Sequence, residues 1–194
     1  MNKMTNLSFK SNSSSNPNAF LNQSTTDTNQ NDNFYYWDED NTFENAKYSV
    51  FEIANWFLSK ESMTHKKIQK LCYYAQAWCY TLKDYKLMDT NFEAWIHGPV
   101  SPVLYDKFKV FGFNSIRLAG EYNGRIESQD QELLESVWET YGDHTGNALE
   151  ALSHSEPPWI EARAGYSVEE RCNVPISVEA MKKYYSAIYL GGDV

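Results

Sequence analysis

THKKIQKLCYYAQAWCYTLKDYKLMDTNFEAWIHGPVSPVLYDKFKVFG, residues 64–112, is the stretch on which the fold of this chain turns. In its first part Ile68, Leu71, Cys72, Ala75, Cys79 and Leu82 recur at three- and four-residue spacing, the period of one face of an α-helix, with Thr64 placed to cap it. Tyr73, Tyr74 and Trp78 widen the apolar surface beyond a single stripe, so this helix is expected to be covered on more than one side and to sit centrally. The corner Gly98-Pro99-Val100-Ser101-Pro102 cannot be crossed by a helix, because each proline fixes its own φ and biases the preceding residue toward extended backbone. Ser101 followed by Pro102 is a cap and first-turn pair, so a second helix should start there and carry Val103, Leu104, Lys107 and Phe108 toward Gly112. Between the helices, residues 89–96 alternate Phe92, Ala94 and Ile96 with Glu93 and Trp95, compatible with a brief strand or with continued helix.

Working outward, Val50, Ile53, Ala54, Phe57 and Leu58 mark a helix over 48–59, and Leu133, Leu134, Val137, Trp138 and Tyr141 mark another over 131–141. Residues 145–153 bury Ala148, Leu149 and Leu152, Pro157-Pro158 opens a short helix in which Trp159 should plug the core, and Ser177 caps a last helix that stops at Gly191-Gly192. Residues 115–118 and 125–127 are candidates for a hairpin around Asn123-Gly124. The sum is a mostly α protein: a compact domain of about six helices over 48–190, with at most a short strand pair. Residues 1–47 are rich in Asn, Ser, Thr and Gln and cannot bury enough apolar surface to order themselves, which predicts a disordered tail. Within it Phe34, Tyr35, Tyr36 and Trp37 precede Asp38-Glu39-Asp40 and should dock, either on the domain or on a partner.

A net charge of −9 and an isoelectric point near 4.9 disfavour binding to nucleic acid, which needs clustered Lys and Arg, and the tail is too irregular for a helix-turn-helix. No apolar run is long enough to span a bilayer and no signal peptide opens the chain, so a cytoplasmic location is expected. Three cysteines at irregular spacing fit a reducing compartment. A zinc site from Cys72, Cys79 and Cys172 lacks a close ligand pair, and Cys72 and Cys79 read better as buried small apolar residues. No metal or cofactor is expected.

The segments KIQKLCYYAQAW, FEAWIHGPVSPVLYDKF, the acidic helix ending VWETYG and LSHSEPPWIEAR, in this order and spacing, resemble the Panacea domain, the SocA-like antitoxin domain of bacterial and phage toxin–antitoxin pairs. The resemblance spans roughly residues 48–189. It implies a non-enzymatic antitoxin that neutralises a cognate protein toxin, encoded by an adjacent gene, through direct binding. It also implies an alternative, a proteolytic adaptor that delivers its toxin to a protease. Gly98, Pro99, Val100 and Trp159 carry over as fold-defining positions. Large amphipathic side chains suit a binding face, which makes Trp95, Tyr105, Tyr73 and the cluster Phe34 to Trp37 the candidates for it.

A third reading, a histidine-dependent hydrolase or metal enzyme, requires His97 and His154 to converge with a carboxylate such as Glu93. Neither these histidines nor His65 and His144 lie in a metal-binding helix motif, and the chain has no G-x-S-x-G and no phosphate loop.

Overall fold

In a computed structural model the described residues are 46–192. Phe34, Tyr35, Tyr36 and Trp37, and nearly all of the expected tail, therefore lie outside the described residues. Among those described, the chain forms seven α-helices and two small antiparallel strand pairs. In order these are α1 (Val50–Lys60), β1 (Met63–Thr64), α2 (His65–Lys83), β2 (Glu93–Trp95), β3 (Gly98–Val100), α3 (Pro102–Phe108) with a 3-10 turn (Lys109–Phe111), β4 (Ser115–Ile116), α4 (Ser128–Tyr141), α5 (Gly146–His154), α6 (Pro157–Ala162) and α7 (Val178–Tyr189).

Helix α2 is the axis of the domain, as its apolar breadth requires. Every residue from Lys67 to Tyr80 is buried, and α1, α3, α4, α5 and α7 all pack against it. Its start is set by Thr64, whose side chain accepts from the Lys67 amide. It ends at Asp84, which takes the left-handed conformation (φ 57°). Removing side chains such as Ile53, Ile68, Leu71 and Leu134 from water contributes about 2 kcal/mol each.

Aromatic rings fill the space between α2, α4 and α7. Tyr74 stacks on Tyr141 with centroids 4.0 Å apart, Trp78 lies 5.1 Å from Tyr185, and the Trp78 indole donates to the Tyr141 hydroxyl at 3.1 Å. Among these rings sits the buried carboxyl of Glu156, which accepts from Tyr185 at 2.8 Å and Tyr74 at 3.3 Å. Burial pushes this carboxyl up to about 8, against the pull of its two tyrosine bonds.

A second polar centre ties α4 to α2 and to the start of α1. The carboxylate of Asp130, wholly buried, accepts from Lys47 Nζ at 2.7 Å, Tyr48 at 2.8 Å, Lys83 Nζ at 3.1 Å and the Tyr85 hydroxyl. Lys47, the last residue of the expected tail, thus bonds into the domain. Its amide also donates to Lys86 O, and Tyr48 N donates to Leu87 O.

Two local expectations changed. The hairpin around Asn123-Gly124 does not form; Ser115–Ile116 pairs with Met63–Thr64 instead. Residues 121–125 are exposed or half-buried and carry no apolar alternation, so a hairpin there would have no face to bury, whereas Ile116 and Met63 are both buried. The strand expected over 89–96 is shorter, β2 alone, and it turns back through Ile96-His97 onto β3 with Ala94 opposite Pro99. The Gly-Pro corner is thus partly a strand, which brings the strand pairs to two.

Candidate partner-binding face

The corner is held from the core side by two neighbouring residues of α2. Gln69 brackets Ser101, accepting from its amide at 2.8 Å and donating to its carbonyl at 3.1 Å. Lys70, wholly buried, donates to Pro99 O at 2.9 Å, and burial brings its ammonium down to about 7. Gly98 has a φ of +88°, and a Cβ there would lie 2.7 Å from Ser153 Oγ and 2.8 Å from Lys70 Cε. Only glycine meets both conditions. Ser101 Oγ then caps α3 by accepting from Leu104 N at 3.3 Å. Val100 and Trp159 are buried beside this corner, with the Trp159 indole donating to Trp95 O at 3.0 Å.

On the outer side the corner sets Trp95 of β2 against Tyr105 of α3, ring centroids 5.0 Å apart and nearly perpendicular, with His65 5.9 Å beyond Tyr105. Trp95 and Tyr105 are both half-buried. Tyr73 does not join them: it is wholly buried, packed 5.4 Å from Tyr74 and 5.7 Å from Phe92. The breadth of α2 that made Tyr73 a surface candidate is used up by neighbours on all sides, so its ring cannot meet a partner. Other apolar side chains of the same segment are also exposed. Val103 is 50% exposed, Val110 79% and Phe113 98%. Val110 and Phe113 drew no notice, because an apolar residue in a short segment carries no sign of whether the fold will cover it.

Trp95, Ile96, Tyr105 and Cys172 wall a cavity of about 540 Å³, with His97, Arg171 and Asn173 completing its lining. The segment bearing Arg171 is positioned by Arg163, at the end of α6, whose buried guanidinium donates to Ala94 O (2.9 Å), Ser167 O (2.8 Å) and Glu170 O (2.8 Å). Beyond it, residues 174–176 lie on the second edge of β2, with Ala94 N donating to Val174 O and Ile176 N to Phe92 O. Sequence reasoning missed Arg163, Glu156, Asp130 and Lys70 alike. What marked them was a charge inside an otherwise apolar helix, at a helix end, or next to Pro-Pro.

The residues of the hydrolase reading are otherwise engaged. His97 Nδ1 lies 2.9 Å from Glu150 Oε1, His154 stacks on Trp159 at 4.1 Å with burial lowering its pKa, and Glu93 accepts from the Trp95 indole at 2.6 Å. Among the described residues no group of three or more His, Cys, Asp or Glu could hold a metal ion. Cys72, Cys79 and Cys172 are buried thiols, and burial raises those of Cys72 and Cys79. Of the neighbouring lysines at 66–67 and 182–183, Lys66 bonds Glu150 and Asn147, Lys67 bonds Gly142 O and Glu61, and Lys182 bonds Asp84. No helix among the described residues is long and apolar enough to cross a membrane.

Neither a curated protein nor a solved structure matches the chain. The family model of the antitoxin SocA-like Panacea domain matches residues 68–160, which run from the buried face of α2 through the corner, α3, α4 and α5 into α6. The part of the chain that builds the central helix, the corner and the aromatic pair outside it is thus the part that is similar to the antitoxin SocA-like Panacea domain.

Proposed function

We propose that this protein is an antitoxin which neutralises a cognate protein toxin by direct binding, without catalysis of its own. The binding domain is the helical unit over 48–190, and its contact face is the outer side of the corner: Trp95, Tyr105 and the exposed apolar side chains of α3 and the residues just after it. The observation that carries this reading is the set of exposed apolar side chains at Val103, Val110 and Phe113, which follow the aromatic pair in the segment matched to the antitoxin family. Apolar surface left in water on a short rigid element is the usual mark of a protein contact.

The test is co-expression with the product of the neighbouring reading frame. That product should arrest growth alone and be harmless with this protein present. The double variant Val110→Asp, Phe113→Asp should lose protection while melting like the parent, because both side chains lie in water. A neighbouring product harmless by itself, or arrest that persists beside the intact chain, would sink the reading.

A further inference from the structure

The cavity beside Trp95 has a composition that selects its occupant. Its walls are apolar and aromatic, and among the described residues its only full cation is Arg171, which is exposed and has no ion-pair partner among them. The histidine in the lining, His97, already faces Glu150. What sets Arg171 apart from the other exposed arginines is its place, in the lining of an apolar cavity with no acidic side chain among the described lining residues. An apolar side chain carrying an anion within a few bonds would satisfy walls and cation together.

The backbone narrows the choice further. Peptides are often held by adding a strand to an open edge, but β2 has none: β3 covers one side and residues 174–176 the other. Recognition must then rest on one side chain and one charge. A cavity of about 540 Å³ is of the size that holds a small ligand, too small for a helix. The carboxy-terminal residue of a polypeptide supplies both features on one residue, the side chain for the aromatic walls and the α-carboxylate for Arg171.

We propose that this cavity binds the free carboxy-terminus of a partner polypeptide whose last residue is large and apolar, with Arg171 taking the carboxylate and Trp95 and Tyr105 the side chain. This rests on the antitoxin reading only in making the toxin the natural partner; the cavity itself is testable without a toxin. Arg163 acts as a positioning residue, since it holds the segment that bears Arg171 against β2.

The probe is a set of hexapeptides Gly-Ser-Gly-Ser-Ala-X, with X Phe, Leu or Ser, each as free acid and as carboxamide, titrated into the nitrogen-labelled full chain. The Trp95 indole N–H resonance is the readout. The Phe or Leu acid should shift it, and the carboxamide, the Ser peptide and the Arg171→Gln variant should each bind about tenfold more weakly or worse, the scale of one charge-assisted contact. Arg171→Gln should keep the parent's melting temperature. Equal binding by acid and amide, undiminished binding by Arg171→Gln, or no shift by any peptide up to about 5 mM would each overturn the proposal. So would N-acetylphenylalanine binding as tightly as the Phe peptide, because the site would then recognise a small carboxylic acid. Co-expression separates the two claims. If Arg171→Gln still protects cells as the parent does and also binds the peptides, the cavity proposal fails while the antitoxin reading stands; if the parent itself does not protect, that reading fails and the titration still judges the cavity.

Discussion

Replacing Asp130 by asparagine keeps the shape of a side chain that four donors surround, removes its charge and turns one of its two acceptor oxygens into a donor. In the folded protein burial raises this carboxyl, but the bonds from Lys47, Tyr85, Tyr48 and Lys83 overcome that and hold it at about 2, against an ordinary 3.8. At about 1.4 kcal/mol for each pKa unit, the ionised form contributes about 2 kcal/mol to stability near neutrality. The sign follows from which state binds the proton first. Because the folded carboxyl is the stronger acid, the unfolded chain takes up the proton earlier as pH falls. The contribution is therefore whole above about pH 5, roughly halved near pH 3 and nearly gone at about pH 2. Asp130→Asn should lower the unfolding free energy by about 2–3 kcal/mol near pH 7, the upper end reflecting two lysines left facing an amide. Near pH 3 the loss should shrink to about 1 kcal/mol. Urea unfolding followed by tryptophan fluorescence at the two pH values, with ionic strength fixed, measures both. An equal loss at both pH values, or one under about 0.5 kcal/mol near neutrality, would refute the assignment of Asp130 as an ionised hub.

Gly98→Ala should cost about 2–4 kcal/mol, combining left-handed backbone with overlap on Ser153 and Lys70, and calorimetry should show a lowered melting temperature that Ser153→Ala relieves only in part. Glu156 runs opposite to Asp130: burial raises its folded pKa to about 8, so the unfolded chain loses its proton first as pH rises, and this group's contribution is lost between about pH 5 and pH 8. Glu156→Gln should flatten that slope in melting temperature; an unchanged slope would mean that another group titrates. Arg163→Lys cannot reach three carbonyls at once and should cost about 2 kcal/mol, with amide exchange over 164–171 rising more than in α2.

The helices were legible because their signals are local. Thr64, Ser101 and Ser177 each cap the helix the sequence assigns to them, and the apolar period of α2 foretold an axis covered on several sides. The family resemblance was legible for the same reason, being carried by short segments at set spacing. What stayed hidden is long-range. That β4 would pair with β1, more than fifty residues earlier, depends on which buried partner Ile116 finds, and no turn signal records that choice. The candidate face was half visible: Trp95 and Tyr105 are on it, Tyr73 is not, and amphipathic character alone cannot say which side of a wide helix meets solvent. Arg171 drew no notice, since nothing in the sequence says that its loop folds back to line a cavity with Trp95 and Tyr105.

The grip of Gln69 and Lys70 on the corner separates two jobs that proteins often entangle. Both residues act from the interior, on main-chain atoms of Ser101 and Pro99, so the direction in which α3 leaves the corner does not depend on what α3 shows to the outside. Val103, Val110 and Phe113 can be exchanged for other side chains without asking the interior to adjust. A scaffold built this way can be repainted while its frame stays as it was.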